Sequence, residues 1–140
     1  DAGLSPQHLT LEITESTLMR NIAAGVSVLN ELRNLGVSTA IDDFGTGYSS
    51  LAYLKDLPID YLKIDRMFVK DIVSSSHDAA IASSIIALAH NLGLKVIAEG
   101  VEDEEVLDVL EVFGCDQYQG FYYARPVEAS ELPTLVRRCA

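Results

Sequence analysis

Six residues capable of metal or phosphate chemistry fall where the chain's patterning places the ends or the middles of strands. Glu12 sits in residues 9–13 (LTLEI), on the face opposite Leu11 and Ile13. Asp42 and Asp43 follow residues 37–41 (VSTAI), Lys63 lies in residues 61–64 (YLKI), Glu99 ends the run that begins at Leu94 (LKVIA), and Gln119 lies in residues 117–121. Clustered carboxylates raise each other's pKa or demand a counter-ion, and a divalent cation supplies one. An all-oxygen donor set suits Mg²⁺, Mn²⁺ or Ca²⁺ better than zinc. His8, His77 and His90 are scattered, and Cys115 and Cys139 have no metal-binding spacing. Two cations ~3.5–4 Å apart need a bridging carboxylate, and such a pair activates water for in-line displacement at phosphorus. Asp42 is the candidate bridge. Lys63 would add positive charge toward the attacking water or the phosphate.

Each residue also has a plainer reading. A strand-ending Asp such as Asp43, before Phe44-Gly45-Thr46-Gly47, is commonly a helix cap or a turn former. A single Glu on a strand, as Glu12 is, is commonly a solvated edge residue, and Lys63 and Gln119 say little alone. Glu99-Gly100-Val101-Glu102 carries more weight, because Ile97-Ala98 leads it out of a buried strand. The joint placement at strand ends favours a metal site. Gly45-Thr46-Gly47 lacks the lysine and the spacing of a phosphate-binding P-loop and reads as a mobile loop beside the carboxylates. Tyr118, Tyr122 and Tyr123 suit either base stacking or a half-buried strand.

These residues are positioned by alternating short β-rich runs and helical patterns. Ile22, Val26, Leu29, Leu32 and Leu35 form one apolar stripe of a helix, closed by Gly36. Residues 48–57 read as a short helix stopped by Pro58. Further helices are expected over 78–92, 103–113 and 130–137, the last with Pro133 in its first turn. Asn34-Leu35-Gly36-Val37 recurs as Asn91-Leu92-Gly93-Leu94, with a looser third copy at Phe113-Gly114-Cys115. Helix, glycine, strand is the punctuation of an α/β fold with about five mostly parallel strands. Such units fit an open doubly wound sheet or part of a (β/α)8 barrel. Two features favour the barrel: no strand-to-helix turn carries a glycine-rich dinucleotide fingerprint, and polar groups end several strands instead of meeting at one crevice. A complete barrel takes about 250 residues, so the expectation is the C-terminal portion of a TIM-like barrel.

At 140 residues, 49% of them hydrophobic, the chain has the makings of one sizeable core. A net charge of −11 with 10 Lys plus Arg argues against a DNA or RNA polymer as partner. It leaves room for a phosphorylated ligand met through cations. Two unpaired thiols point to a reducing cytoplasm. The sequence shows no membrane-span run and no signal peptide, although a membrane anchor in a missing N-terminal region of a parent protein is compatible with it.

The residues 40–65, AIDDFGTGYSSLAYLKDLPIDYLKID, resemble the signature of EAL domains, bacterial modules that hydrolyse cyclic di-GMP. LEITES (residues 11–16), VIAEGVED (96–103) and CDQYQGFYYARPV (115–127) are similar to further motifs of that family. The resemblance covers nearly the whole chain in the right order and implies the C-terminal part, residues 1–140, of a single EAL domain. It implies metal ligation by Glu12, Asp42, Asp43 and Glu99, with Asp42 bridging two Mg²⁺ or Mn²⁺ ions, Asp43 on the second, and Ca²⁺ inhibitory. Lys63 would meet the metal-bound water or a phosphate oxygen. Glu99 would act near the second metal as ligand or general base. Glu15 would anchor the loop Asp43-Phe44-Gly45-Thr46-Gly47. Glu102, Gln119, Arg125 and Pro126 would lie near the substrate or the lower rim of its pocket. The implied reaction opens one phosphodiester of cyclic di-GMP to linear pGpG, in a parent protein that dimerises through this domain. The Glu-Ala-Leu motif and the strand carrying an asparagine ligand are absent from these residues, so the isolated chain is expected to be inactive. The alternative is an inactive cyclic di-GMP receptor or a protein-interaction module.

Overall fold

A computed structural model describes residues 3–45 and 51–138. A 3₁₀ turn, Pro6–His8, precedes β1 (Thr10–Thr14). Then follow α1 (Glu15–Arg20), α2 (Ile22–Asn34), β2 (Ser38–Phe44), α3 (Leu51–Leu54), β3 (Tyr61–Ile64), α4 (Arg66–Val69), α5 (Ser76–Asn91), β4 (Lys95–Glu99), α6 (Glu104–Val112), β5 (Gln117–Gln119) and α7 (Leu132–Arg138).

All four strand pairings are parallel, and the sheet order is β1-β2-β3-β4-β5. This order separates the two architectures that the pattern allows. A doubly wound sheet reverses its strand order at a switch point, whereas a barrel adds each strand beside the last. The chain is therefore an α/β, TIM-barrel-like segment of five parallel strands alternating with helices.

The helix-to-strand repeat has a common structural cause. Gly36, Gly93 and Gly114 have φ of 83°, 75° and 80°. After each, an N–H reaches back to a carbonyl five residues earlier: Val37 to Leu32 at 3.0 Å, Leu94 to Ala89 at 2.9 Å and Cys115 to Leu110 at 3.0 Å. This is the hydrogen bond of a Schellman ending, and it needs a residue that tolerates the left-handed region. At the opposite helix ends, Asn21, Ser75 and Asp103 accept from Ala24 N (3.2 Å), Asp78 N (3.2 Å) and Val106 N (2.9 Å).

Strand alternation divides the sheet into two faces. Ile41, Leu62, Ile64, Val96 and Ala98 share one buried core with Leu18, Leu29, Ile85, Ile86 and Ala89 of the helices. The other face carries Glu12, Lys63, Glu99 and Gln119. Two carboxylates bind the strands at their N-terminal ends. Asp60 Oδ2 accepts from Thr39 N at 2.9 Å, and Asp116 Oδ2 accepts from Val96 N at 2.8 Å and meets His90 Nε2 at 2.9 Å.

The structure differs from the sequence reading in local ways. β2 runs through both aspartates, which were expected to end it, and stops one residue later at Phe44. β5 ends at Gln119, short of residue 121. Of the helix expected over 48–57, residues 48–50 lie outside the described residues, and α3 occupies Leu51–Leu54. Helices α1 and α4 were not expected; with six and four residues they span too few turns to display a 3.6-residue period.

Candidate active site

Lys63 is the centre of the polar face. It lies in β3, flanked by the buried Leu62 and Ile64, and is itself 2% exposed. Its ammonium meets carboxylates from three different strands: Glu12 Oε2 of β1 at 2.7 Å, Asp42 Oδ1 of β2 at 3.1 Å and Glu99 Oε1 of β4 at 2.5 Å. An ammonium offers three donors, and here each has an anionic acceptor. Burial by itself would lower the Lys63 pKa. The hydrogen bonds to Glu12, Glu99 and Asp42, with the nearby Glu99 charge, outweigh it and hold the group above the ordinary lysine value.

The two aspartates are delivered by a bulge. Ile41 pairs with Leu62 and Phe44 with Ile64, so β2 spends three steps where β3 spends two. Asp43 absorbs the extra residue with φ of 56°, and its N–H donates to Asp42 Oδ1 at 3.1 Å. The Asp43 carboxyl is pushed above the usual aspartate range by burial first, then by the charges of Asp42 and Asp65 and a hydrogen bond with Asp65, against the pull of Lys63. Asp65 is a residue the sequence reading passed over. It caps α4, accepting from Met67 N at 2.7 Å. Its signal was its place between a strand and an apolar helix start, the usual position of an Asp cap.

Glu15 is 6% exposed at the start of α1, and its Oε2 has no hydrogen-bond partner among the described residues. Gly45 follows β2 with φ of 94°, close to the Phe68 ring; Thr46 and Gly47 lie outside the described residues. Glu102 and Gln119 line a cavity of about 180 Å³ together with Glu99 and Arg66. Arg125 and Pro126 are not brought to the Lys63 cluster. They line a cavity of about 470 Å³ that shares Gln119, Gly120 and Phe121 with the smaller one, and the Arg125 guanidinium sits 4.6 Å from the Phe121 ring centroid. Cys115 is a free, buried thiol, and Cys139 lies outside the described residues. No helix among the described residues is long and apolar enough to cross a membrane.

Among the described residues, no group of three or more His, Cys, Asp and Glu side chains is arranged to hold a metal ion. The three carboxylates are instead drawn onto the Lys63 ammonium, which supplies the positive charge. The donor chemistry nevertheless fits hard divalent cations: every candidate ligand is a carboxylate oxygen, and three come from separate strands to one point.

Polar residues gathered from consecutive parallel strands mark a barrel-type catalytic or binding domain, whose functional groups come from several strand ends. The chain belongs to the EAL domain family, whose model matches residues 1–126. It is 52% identical over 130 residues to the bifunctional diguanylate cyclase/cyclic di-GMP phosphodiesterase MucR of Pseudomonas aeruginosa, covering 93% of this chain and 19% of MucR. The EAL domain of Mycobacterium smegmatis DcpA superposes with a TM-score of 0.91 at 46% identity, covering 97% of this chain and 61% of that one. Klebsiella pneumoniae BlrP1, solved with manganese and cyclic di-GMP, superposes with a TM-score of 0.82 at 39% identity, covering 89% of this chain and 32% of BlrP1. The chain thus spans about a fifth of the length of MucR and about three-fifths of the solved DcpA domain.

Proposed function

We propose that the intact protein is a cyclic di-GMP phosphodiesterase that hydrolyses one phosphodiester of the ring to give linear pGpG, and that this chain forms the C-terminal part, residues 1–140, of its single EAL domain. The observation that carries the reading is the meeting of Glu12, Asp42 and Glu99, from three strands, on Lys63 Nζ. The family match and the named activity of MucR support the substrate.

In this reading Glu12, Asp42, Asp43 and Glu99 hold two Mg²⁺ or Mn²⁺ ions, and the manganese complex of BlrP1 supports a divalent cation. When bound, such ions polarise the phosphoryl oxygens and lower the pKa of water. The chain's own residues do the rest. Lys63, held in a central strand, would add its positive charge where phosphoryl oxygens gain charge in the reaction. Glu99, at the end of β4 and in contact with the Lys63 ammonium, would act near the second metal as ligand or as the base that takes a proton from the attacking water. Gln119, paired with Glu99 across β4 and β5, faces the same cavity and orients the substrate. Glu15, buried with one oxygen that has no partner among the described residues, would anchor the loop that begins at Asp43.

The test compares this 140-residue chain with one extended toward the N-terminus to the usual barrel length of about 250 residues, scored by nucleotide chromatography with Mg²⁺ or Mn²⁺. The extended chain is expected to yield pGpG and the short one almost none. An extended chain that binds cyclic di-GMP in calorimetry but releases no pGpG would establish the receptor alternative. Unchanged turnover and metal binding in Asp42→Asn would refute a metal role for this cluster. A cytoplasmic setting accords with the free Cys115 thiol. Pairing of two copies through the EAL domain belongs to the same reading, and sedimentation of the intact protein tests it.

A further inference from the structure

The short stretch from Lys63 to Arg66 touches several neighbouring strand ends. Lys63 gathers Glu12, Asp42 and Glu99, and Asp65 neighbours Asp43. The remaining charged residue, Arg66, reaches a different carboxylate: its Nη2 lies 2.8 Å from Glu102 Oε1. We propose that Arg66 is a positioning residue for Glu99, acting as a latch over the turn from Glu99 to Glu102. The proposal rests on the phosphodiesterase reading for its catalytic consequence, though not for its geometry.

The turn is clamped from two sides. Gly100 has φ of 75°, and a Cβ there would overlap the Arg66 side chain at Cγ, so the arginine stem lies flat on the glycine backbone. Beyond that contact the guanidinium closes on Glu102, tying both ends of the turn to the start of α4. On the other side a Cβ at Gly120 would overlap the Val101 backbone. There Val101 N donates to Gln119 O at 3.2 Å, and Tyr122 N donates to Val101 O at 3.0 Å. Val101 is fully buried. Two glycines thus permit two close approaches, and Glu99 leaves β4 straight into the clamped segment.

A surface ion pair of this kind contributes little to stability. The Arg66 and Glu102 side chains are 58% and 44% exposed, and exposed pairs are commonly worth about 0–1 kcal/mol. Direction is another matter, since a reacting group displaced by about 1 Å can cost on the order of 10²-fold in rate. The latch therefore predicts a separation: turnover suffers while the melting temperature hardly moves.

The experiment uses the intact protein. Arg66→Met keeps the stem against Gly100 and removes the charge. Its kcat for cyclic di-GMP is expected to fall about tenfold, with KM within about twofold and a melting temperature within about 3 °C of wild type. Glu102→Gln should match it, and the double variant should be no worse than the poorer single, since both break one interaction. Amide exchange at Val101 should accelerate in Arg66→Met. A kcat within about twofold of wild type, multiplicative singles, or unchanged Val101 exchange overturns the latch. If wild-type protein itself fails to hydrolyse cyclic di-GMP, the phosphodiesterase reading falls. Val101 exchange then decides the latch alone: faster in Arg66→Met upholds it, unchanged overturns it.

Discussion

Replacing Lys63 with Met probes the centre of the site, because it keeps the stem's volume and removes the charge. In the wild type one ammonium, its side chain 3% exposed, is shared by carboxylates 45%, 23% and 23% exposed. Breaking a fully buried pair costs about 3–5 kcal/mol. The partners here keep part of their hydration, so the cost is about 2–3 kcal/mol. For a domain of EAL size this lowers the melting temperature by roughly 4–12 °C in the absence of divalent ions. The folded-state pKa of Lys63 lies above its unfolded value. Its stabilising charge is therefore fully present below the unfolded pKa of about 10.4 and is lost only as pH rises through the higher folded value. The variant's deficit should thus be constant across neutral pH. Mg²⁺ supplies the test of site identity. In the wild type a cation must compete with the ammonium for the same oxygens, whereas in Lys63→Met it meets them unpaired, so added Mg²⁺ should raise the melting temperature more in the variant. Thermal unfolding of the intact protein in EDTA and in Mg²⁺ measures both effects, and turnover should be lost with the phosphate-facing charge. Equal melting temperatures in EDTA together with equal Mg²⁺ increments would refute the reasoning.

Other outcomes follow from the same geometry. Asp43→Gly should keep the fold and raise its melting temperature slightly, since a non-glycine residue in the left-handed region costs about 1–2 kcal/mol. It should still lose turnover, while Asp43→Val should lower the melting temperature; unfolding curves beside a chromatographic assay separate the two roles. Burial pushes the Cys115 thiol up to about 11, so alkylation at pH 8 should be slow in the native state and fast in denaturant, as mass spectrometry would read. Because this folded pKa exceeds the unfolded one, any stability contributed by the neutral thiol fades as pH rises above the unfolded value of about 8.5. Burial raises the Asp116 pKa, but the hydrogen bonds from His90 and Val96 outweigh it and leave it lowered. Its contribution is therefore present above about pH 3.9 and lost as pH falls through the lower folded value. Asp116→Asn should cost about 1 kcal/mol in urea unfolding and leave kcat unchanged, because Asp116 lies at the strands' N-terminal ends.

Most of the strand and helix order was legible because helix endings repeat one chemical device. Gly36, Gly93 and Gly114 each stop a helix one residue after its apolar stripe runs out, and each is followed within three residues by a strand. The face assignment was legible wherever alternation is strict, as for Glu12 between Leu11 and Ile13. Strand spacing alone left an open sheet and a barrel segment both possible, because strand order is a property of long-range pairing that no local pattern encodes; the missing dinucleotide fingerprint and the polar residues at several strand ends favoured the barrel, and the sheet order bears that out. Arg66 and Asp65 were missed for a related reason. Their partners, Glu102 and Asp43, are distant in sequence and become neighbours only when β3 lies between β2 and β4. The role of Lys63 as a hub for three carboxylates is likewise a product of pairing, since a lysine in a four-residue strand has no distinguishing local signal.

The bulge in β2 explains how two adjacent aspartates can serve one site. In an unbroken strand, neighbours point to opposite faces, so one of Asp42 and Asp43 would enter the helix-covered core. Ile41 and Phe44, three residues apart, are 1% and 5% exposed and both belong to that core. Regular alternation cannot place two residues at odd spacing on one face. The extra residue absorbed at Asp43 resolves the conflict, carrying both carboxylates past the core between two apolar anchors. The sequence pattern apolar-Asp-Asp-apolar at the end of a strand is thus itself a bulge signal. Function and fold meet in this segment: the backbone strain at Asp43 is held by the burial of Ile41 and Phe44 on either side, and it brings a second carboxylate within the electrostatic reach of Lys63.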